Sequence, residues 1–172
     1  VMIDVAHSGW QTGFEAAECS NAPIVSSHAV CDALNHHCRA KPDKLIRAIA
    51  DTGGLCGICC IPYFLGGSGD IQAFLDHIDH VVKNFGADYA AIGTDVAYSA
   101  QAAGEEAQKI PSQGKQRPRW EALWPKGALG ADHPEYDDPK KALSMAWTNW
   151  PLFTVGMVQR GYSDEDIRKL LG

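Results

Sequence analysis

The sequence predicts an α/β protein built on a parallel sheet. Four short runs are apolar and partly β-branched, at residues 1–7, 24–28, 55–61 and 89–94. A helix-like stretch lies between each run and the next, and the runs are almost continuously apolar. Strands of this kind, alternating with helices, are typical of parallel sheets covered on both faces. Four such units make half of an eight-stranded (β/α)8 barrel, and they would also fit a small open sheet.

Apolar spacing predicts the helices of the first half. Residues 10–19 present one apolar face, formed by Trp10, Phe14, Ala16 and Ala17. Residues 43–51 follow Pro42, end before two glycines, and repeat apolar side chains at Leu45, Ile46, Ile49 and Ala50. A short helix is also predicted over residues 30–34.

The later helices have clearer end signals. Residues 71–85 carry a long apolar stripe formed by Phe74, Leu75, Ile78, Val81, Val82 and Phe85, and Gly86 ends the helix. Another helix is predicted over residues 151–160. Ser163 begins a capping box, in which its side chain pairs with the third residue of the helix, and this predicts a last helix through Leu171.

Composition favours one globular domain over residues 1–172. The chain has an ordinary apolar fraction of 45% and a formal net charge of −6. Nucleic acids and anionic membranes need basic patches, so neither is expected as a partner. We see no membrane-spanning run and no targeting motif, and because the chain starts directly in a strand we expect a piece of a larger protein.

The six cysteines are expected to be reduced. A chain of this length with an ordinary core does not need disulfides. Cys56 and Cys59 have a CxxC spacing, but no second CxxC follows and the pair lies in an apolar run. We interpret them as buried free thiols, with a redox or zinc role as the alternative.

The segment 97–140 differs in composition from the rest. It holds five prolines, several glycines, and the aromatic side chains of Trp120 and Trp124. Loops of this length in compact domains are usually functional or disordered. The tryptophans favour a packed, lid-like loop.

Two histidines end consecutive predicted strands. His7 closes the first run and His28 the second. Side chains at the carboxyl ends of neighbouring parallel strands converge, and strands lie about 4.8 Å apart, so one zinc ion could bind both imidazoles. The alternative is that one or both are hydrogen-bonded core histidines.

Other polar residues are candidates for the same edge of the sheet. Asp95 ends the fourth run, where a carboxylate could bind metal, act as a general base or hold a substrate amine; its alternative is a turn cap. Arg39 could clamp a substrate carboxylate, although an isolated loop arginine is more often a surface residue. We interpret His36 and His37 as loop residues, and His77 and His80 as lying on a solvated helix face.

These residues belong to segments that resemble one known family. The segments are residues 3–7, 22–28, Arg39 with 42–45, 76–80, 91–95 and 160–168. In order and spacing they resemble the membrane (renal) dipeptidase family of zinc peptidases, within the amidohydrolase-like metal-dependent hydrolases. The resemblance covers almost the whole chain outside the 97–140 loop.

The resemblance implies a (β/α)8 TIM barrel with two zinc ions, of which this chain supplies strands 5–8 and their helices. It implies that His7 and His28 bind the second zinc, and that Arg39 receives the terminal carboxylate of the substrate. Asp95 is implied to lie near the activated water and the substrate amine. Tyr63 falls near a substrate-contacting tyrosine of the family.

The implied activity is hydrolysis of the amide bond of dipeptides or similar small peptides with a free carboxylate. The family's remaining zinc ligands belong to an N-terminal half, which is therefore the expected partner of this chain; a homodimer is also considered. The family's Asp-Phe-Asp-Gly stands here as Asp95-Val96-Ala97-Tyr98, so a related amidohydrolase acting on another small amide or a lactone is an alternative. A second alternative is a non-catalytic fragment or degenerate domain.

Overall fold

The structure, a computed structural model, describes residues 1–96 and 133–172, together with Ala102, Glu105, Glu106, Lys109, Pro125, Gly127 and Ala128. Most of the predicted 97–140 loop, including Trp120 and Trp124, lies outside the described residues.

Strands and helices alternate along the first part of the chain, as the sequence predicts. In chain order the elements are β1 (Ile3–Asp4), α1 (Trp10–Cys19), β2 (Ile24–Cys31), β3 (Ala40–Lys41), α2 (Asp43–Asp51), β4 (Leu55–Ile58), α3 (Pro62–Leu65), α4 (Ile71–Phe85) and β5 (Ala90–Ile92). The later helices are α5 (Pro139–Ser144), α6 (Pro151–Gln159) and α7 (Asp164–Leu171). The predicted α/β class is confirmed.

The strands that are described form one parallel sheet. Its order is β1-β2-β4-β5, and β3 pairs with the end of β2. Ile3 lies opposite Ile24, Cys56 opposite Ala90, and Val30 opposite Ala40. In this order the carboxyl ends of all strands meet at one edge of the sheet, which is where parallel α/β folds build their sites.

Helices α1, α2 and α4 have the predicted bounds because apolar periodicity and stop signals agree. Helix α2 buries Leu45, Ile46, Ile49 and Ala50, and the chain turns with a positive φ at Gly53. Asp70 caps the start of helix α4, because its side chain accepts a hydrogen bond from the backbone N–H of Gln72. Ser163 caps the start of helix α7, because its hydroxyl accepts from the backbone N–H of Asp166, as the capping box predicts.

The predicted helix over residues 30–34 is wrong, and the bounds of the predicted strands differ from those of the structure. Residues 30 and 31 belong to β2, and a turn follows, so no helix covers residues 30–34. The short strand β3 pairs with Val30 and Cys31, and this pairing extends β2 beyond its apolar run. Three of the predicted strands are also shorter than expected: β1 is Ile3–Asp4 and not 1–7, β4 is Leu55–Ile58 and not 55–61, and β5 is Ala90–Ile92 and not 89–94.

His77 corrects the prediction that the histidines of α4 lie on a solvated face. Its side chain is buried, with 1% of its surface exposed. Its Nδ1 atom accepts a hydrogen bond from the backbone N–H of Cys31 at 3.0 Å, and its Nε2–H donates to the carbonyl of Leu65 at 2.9 Å. The ring therefore joins α4 to the end of β2 and to α3.

The core lies between the sheet and the helices that cover it. Phe74 of α4 packs edge-on against Phe153 of α6, with ring centroids 4.8 Å apart. Cys56 and Cys59 are buried free thiols, as predicted, and burial raises the pKa of both to about 12. Among the described helices, none combines the length and the apolar character needed to cross a membrane.

Candidate functional site

The imidazole rings of His7 and His28 meet at the carboxyl edge of the sheet. Their Nε2 atoms lie 2.9 Å apart, and their ring centroids lie 4.9 Å apart at an interplanar angle of 64°. His7 follows β1 and His28 lies in β2, its neighbour. The structure thus brings together the two side chains that the sequence singled out first.

A β-bulge in β2 explains the orientation of His28. Ser26 pairs with Cys56 and Ala29 pairs with Ile58, so β2 has one more residue than β4 between these two pairs. A bulge of this kind changes the alternation of side chains and can redirect one of them. As a result the neighbours Ser27 and His28 are close enough for a hydrogen bond between their side chains.

Two glycines leave space for the bulged backbone. A Cβ atom added at Gly57 would lie 2.1 Å from the carbonyl oxygen of Ser27, and one added at Gly93 would lie 1.8 Å from the same oxygen. Real side chains do not tolerate such distances. Glycine in β4 and directly after β5 is therefore a requirement of the backbone that presents His28.

Asp4 and Ser27 form a hydrogen-bonded chain to His28. The Asp4 carboxylate accepts from the Ser27 hydroxyl and from the backbone N–H groups of Ser27 and Ala6. The Ser27 Oγ atom lies 2.7 Å from the Nδ1 atom of His28. Burial raises the pKa of Asp4, but these hydrogen bonds outweigh it and lower the pKa below its ordinary value.

Asp95 lies beside the two rings. One of its carboxylate oxygens is 3.8 Å from the Nε2 atom of His28. Its φ of 54° is the only positive value among the described residues other than glycine. A left-handed backbone costs such a residue about 1–2 kcal/mol, and strained residues often lie at functional sites. The side chain of Asp95 is 36% exposed, so it is open to a small molecule.

Arg39 is buried beside His28 and is not a surface residue. The residue is 6% exposed, and its Nη2 atom donates to the carbonyl oxygen of His28 at 3.2 Å. The guanidinium also lies over the ring of Phe64, 5.6 Å from its centroid. The backbone N–H of Arg39 donates to the Nδ1 atom of His37 at 3.1 Å. Arg39 is therefore held by a contact of its backbone as well as by contacts of its side chain.

The electrostatics of the site favour a neutral His7. Burial is the main cause that lowers its pKa, and the positive charge of Arg39 lowers it further. The negative charges of Asp95 and Asp4 act in the opposite direction but do not reverse the shift. A neutral imidazole keeps a nitrogen lone pair that can bind a metal ion.

Two hydrogen bonds tie the His7 loop to the segment after Arg39. The indole Nε1–H of Trp10 donates to the carbonyl of Ala40 at 2.8 Å, and Lys41 donates to the carbonyl of Ser8 at 3.0 Å. These contacts therefore fix the position of the segment that carries Arg39 relative to the loop that carries His7.

Tyr63 lies in a cluster of aromatic rings next to this segment. Its ring stacks on His133 with centroids 4.8 Å apart and meets His37 edge-on at 5.2 Å. The Nε2–H of His37 donates to the carbonyl of Ala128 at 2.9 Å. Within the 97–140 segment, His133 thus packs on Tyr63, and Ala128 accepts a hydrogen bond from the ring that holds Arg39.

The two imidazoles fit part of a zinc site. Two nitrogens bound to one tetrahedral zinc at about 2.0–2.1 Å lie about 3.3 Å apart, a few tenths of an ångström more than the separation of the Nε2 atoms. Within the part of the chain that the structure describes, no group of three or more His, Cys, Asp or Glu side chains is arranged to hold a metal ion. The 2.9 Å separation is also a hydrogen-bond distance between the two rings, and the pair would supply two of the four ligands of a tetrahedral zinc site.

The roles of four residues around the site were not predicted from the sequence: Asp4, Ser27, His37 and Lys41. An acidic residue inside an apolar strand was a signal for Asp4, because such a charge needs partners. The other three have no comparable signal, since their roles depend on the bulge and on contacts across the loops.

Imidazole, carboxylate and guanidinium groups lie together at the carboxyl edge of the strands, so the chain is a parallel α/β protein with a cluster of polar groups at the edge where such folds build their sites. The sequence profile of the membrane dipeptidase family, peptidase family M19, matches residues 1–112. The chain belongs to this family, which confirms the resemblance drawn from the sequence.

Several known proteins are similar to this chain. An uncharacterized protein from the pqqA 5' region of Klebsiella pneumoniae is 30% identical over 101 residues, which are 55% of this chain and 37% of that protein. An amidohydrolase from Pseudomonas aeruginosa is 26% identical, with a TM-score of 0.71, over 100% of this chain and 49% of its own.

A metallopeptidase from Rhodobacter sphaeroides, bound to a phosphinate mimic of the dipeptide L-Ala-D-Ala, has the same fold. It is 21% identical with a TM-score of 0.65, over 99% of this chain and 39% of its own. The chain spans 37%, 23% and 24% of the length of three curated relatives that it matches.

Proposed function

We propose that the full-length protein is a zinc-dependent hydrolase that cleaves the amide bond of dipeptides or similar small peptides. The observation that carries the proposal is the 2.9 Å approach of the Nε2 atoms of His7 and His28, with the Asp95 carboxylate 3.8 Å from His28. Membership of the membrane dipeptidase family and the dipeptide mimic bound to the Rhodobacter sphaeroides structure support the same reaction class.

His7 and His28 would hold zinc, with the remaining ligands and a second zinc supplied by an N-terminal half of the protein. When bound, zinc lowers the pKa of water towards neutrality and polarises an amide carbonyl. The neutral state of His7, which its lowered pKa favours, is the state that can bind a metal ion.

Asp95 is proposed to orient the attacking water, accept its proton, and hold the amino group of the substrate. Its carboxylate is partly exposed and lies beside His28, so a water molecule and a substrate amine can both reach it. The left-handed backbone at this residue supports a functional role.

Arg39 is proposed to bind the carboxylate of the substrate. A guanidinium forms two parallel hydrogen bonds with a carboxylate, and this orients the scissile bond. Burial beside His28 strengthens such a contact because water competes less there. Tyr63 is proposed to contact the same end of the substrate, since its ring packs on His37, which holds Arg39.

The chain is further proposed to be the C-terminal half of one (β/α)8 barrel, with the 97–140 segment as a lid. In the described part of the sheet, β1 and β5 are the end strands, and Ile3 of β1 is 45% exposed. The exposed apolar side chain on β1 favours a further strand at that edge, and the unpaired edge of β5 can also accept a strand.

A related amidohydrolase activity is the second candidate. The Pseudomonas aeruginosa amidohydrolase matches with a TM-score of 0.71, higher than the 0.65 of the dipeptide-mimic complex. A buried Arg39 favours substrates with a free carboxylate, whereas a lactone or a neutral amide would not need it.

The test is metal content and substrate range of the full-length protein. We expect about two zinc ions for each chain and hydrolysis of dipeptides, with much weaker hydrolysis of dipeptide amides. Hydrolysis of lactones or neutral amides alone would favour the second candidate. Less than one zinc ion for each chain, together with no hydrolysis of any of these substrates, would favour a non-catalytic protein.

A further inference from the structure

We propose that Asp4 and Ser27 are positioning residues for His28, which hold its ring with the Nε2 atom turned towards His7. This inference rests on the proposed function and concerns how its metal site is built. Ser27 contacts the Nδ1 side of the His28 ring, opposite the Nε2 atom that faces His7, and Asp4 contacts Ser27, so both residues would act on the metal site through His28.

The direction of each hydrogen bond follows from the chemistry of the three groups. An ionised carboxylate can only accept, so the Ser27 hydroxyl donates its proton to Asp4. The oxygen of that hydroxyl then accepts from the Nδ1–H of His28 over 2.7 Å. A neutral imidazole has one N–H group, so the Nε2 atom of His28 carries the lone pair.

Metal-binding histidines commonly donate their second N–H to a carboxylate or a carbonyl, which fixes the orientation of the ring. Here a serine hydroxyl stands between the carboxylate and the imidazole. The bulge in β2 makes this arrangement available, because it brings Ser27 and His28, neighbours in sequence, within hydrogen-bond distance.

Asp4 is itself held in place by the backbone. One of its oxygens accepts from the N–H groups of Ala6 and Ser27, while the other accepts from the Ser27 hydroxyl. These contacts link β1 to β2 directly below the two histidines. The carboxylate therefore has a fixed position from which it can orient Ser27.

Ser26 provides a matched control for Ser27. It is the preceding residue, it is fully buried, and its hydroxyl has no hydrogen-bond partner within the described part of the chain. Ser26→Ala removes a hydroxyl of the same kind from the same strand but leaves the contacts of His28 intact. Ser27→Thr keeps the hydroxyl and serves as the conservative variant.

The first readout is the tautomer of His28 in the metal-free full-length protein. Long-range ¹H–¹⁵N spectra of histidine-labelled protein identify which ring nitrogen carries the proton, and a His28→Gln variant assigns the signal. We expect the Nδ1–H form in the wild type, Ser26→Ala and Ser27→Thr, and a mixture of tautomers in Ser27→Ala and Asp4→Asn.

The second readout is zinc affinity, measured by competition with a chromophoric chelator. We expect Ser27→Ala and Asp4→Asn to bind zinc about 10–100-fold more weakly than the wild type, the range typical for such supporting contacts. Ser26→Ala and Ser27→Thr should stay within about 3-fold of the wild type.

The outcomes separate this inference from the proposed function. A wild type that shows the Nδ1–H tautomer but binds no zinc would support the positioning of His28 and contradict the proposed function. Unchanged tautomer and affinity in a folded Ser27→Ala protein would overturn the positioning role while leaving the proposed function standing. Equal losses of zinc affinity in Ser26→Ala and Ser27→Ala would also overturn it. The effect would then come from a general change in the strand and not from the hydroxyl of Ser27.

Discussion

Lys41 donates a hydrogen bond from its Nζ atom to the carbonyl oxygen of Ser8 at 3.0 Å, and only 1% of its surface is exposed. Ser8 directly follows His7, and Lys41 follows Arg39 by two residues. One buried ammonium therefore links the loop that carries His7, a proposed metal ligand, to the segment that carries Arg39, which is proposed to bind the substrate carboxylate. The contact is costly, because a buried charge loses its hydration.

Replacement of Lys41 by methionine should show this cost in the pH dependence of the free energy of unfolding. Burial, and secondly the positive charge of Arg39, lower the pKa of Lys41 from 10.5 to about 8. Between pH 8 and 10.5 the unfolded chain binds more protons at this residue than the folded protein, so the Lys41 contribution to the free energy of unfolding rises with pH. At about 1.4 kcal/mol for each pKa unit, the rise is up to roughly 3 kcal/mol.

Chemical denaturation of the wild type and of Lys41→Met at pH 7.5 and pH 10 measures this contribution. The stability of the wild type relative to the variant should increase at the higher pH, and the comparison cancels the titration of the buried thiols. A difference in the free energy of unfolding that does not change with pH would contradict the lowered pKa of Lys41. Lys140→Met, at an exposed residue of α5, is the control and should show no such change.

His28→Ala should abolish zinc binding at its site and reduce turnover by at least about 100-fold, with little change in the fold. The side chain is partly exposed at the edge of the sheet, so its removal leaves no large cavity in the core. His36→Ala is the matched control, because this loop imidazole is 83% exposed. Metal analysis, turnover and circular dichroism of the two variants give the comparison, and full turnover in His28→Ala would remove this residue from the site.

Arg39→Met should weaken the binding of substrates with a free carboxylate by about 10–100-fold, since hydrogen bonds to a charged group contribute about 1.5–3 kcal/mol. Methionine retains apolar contact with Phe64, so the local packing should survive. The ratio of kcat/KM for a dipeptide to that for its amide is the measurement. The surface variant Arg47→Met should leave this ratio unchanged, and an equal ratio in wild type and Arg39→Met would exclude the proposed carboxylate contact.

His77→Leu should lower the free energy of unfolding by roughly 2–4 kcal/mol near neutral pH. The change leaves the N–H of Cys31 and the carbonyl of Leu65 buried without these partners, and each such loss costs about 1–3 kcal/mol. Denaturant titration provides the measurement. His80→Ala, one turn further along α4, is the control and should cost about 1 kcal/mol or less, because its contact with Asp43 is near the surface.

The same histidine should make stability depend on pH. Burial lowers the pKa of His77 below 6.5, although its hydrogen bond to Leu65 acts in the opposite direction. As the pH falls below 6.5 the unfolded chain binds a proton before the folded protein does, so the wild type loses stability in that range. The difference in the free energy of unfolding between wild type and His77→Leu should therefore become smaller from pH 7.5 to about pH 5. A difference that does not change with pH would contradict this account.

The sequence by itself determined the α/β class, the bounds of α1, α2 and α4, and the family. The fold class and the helix bounds depend on local patterns, such as apolar periodicity and glycines at helix ends, which act over a few residues along the chain. The family depends on the order and spacing of motifs along almost the whole chain. The approach of His7 and His28 was also predictable, because both lie near the carboxyl ends of two neighbouring parallel strands. Neither histidine ends its strand as predicted, since β1 stops at Asp4 and β2 continues past His28 to Cys31. Their role as metal ligands stays a prediction.

Only the tertiary structure decided the surroundings of these histidines. The bulge that brings Ser27 to His28, the burial of Arg39 and Lys41, and the interior position of His77 all arise from contacts between residues far apart in sequence. A bulge depends on the register between two strands and on the space left by glycines in neighbouring segments, and burial depends on which elements cover a side chain. Neither property is encoded in a local pattern, so the folded chain alone reveals how His28 is held.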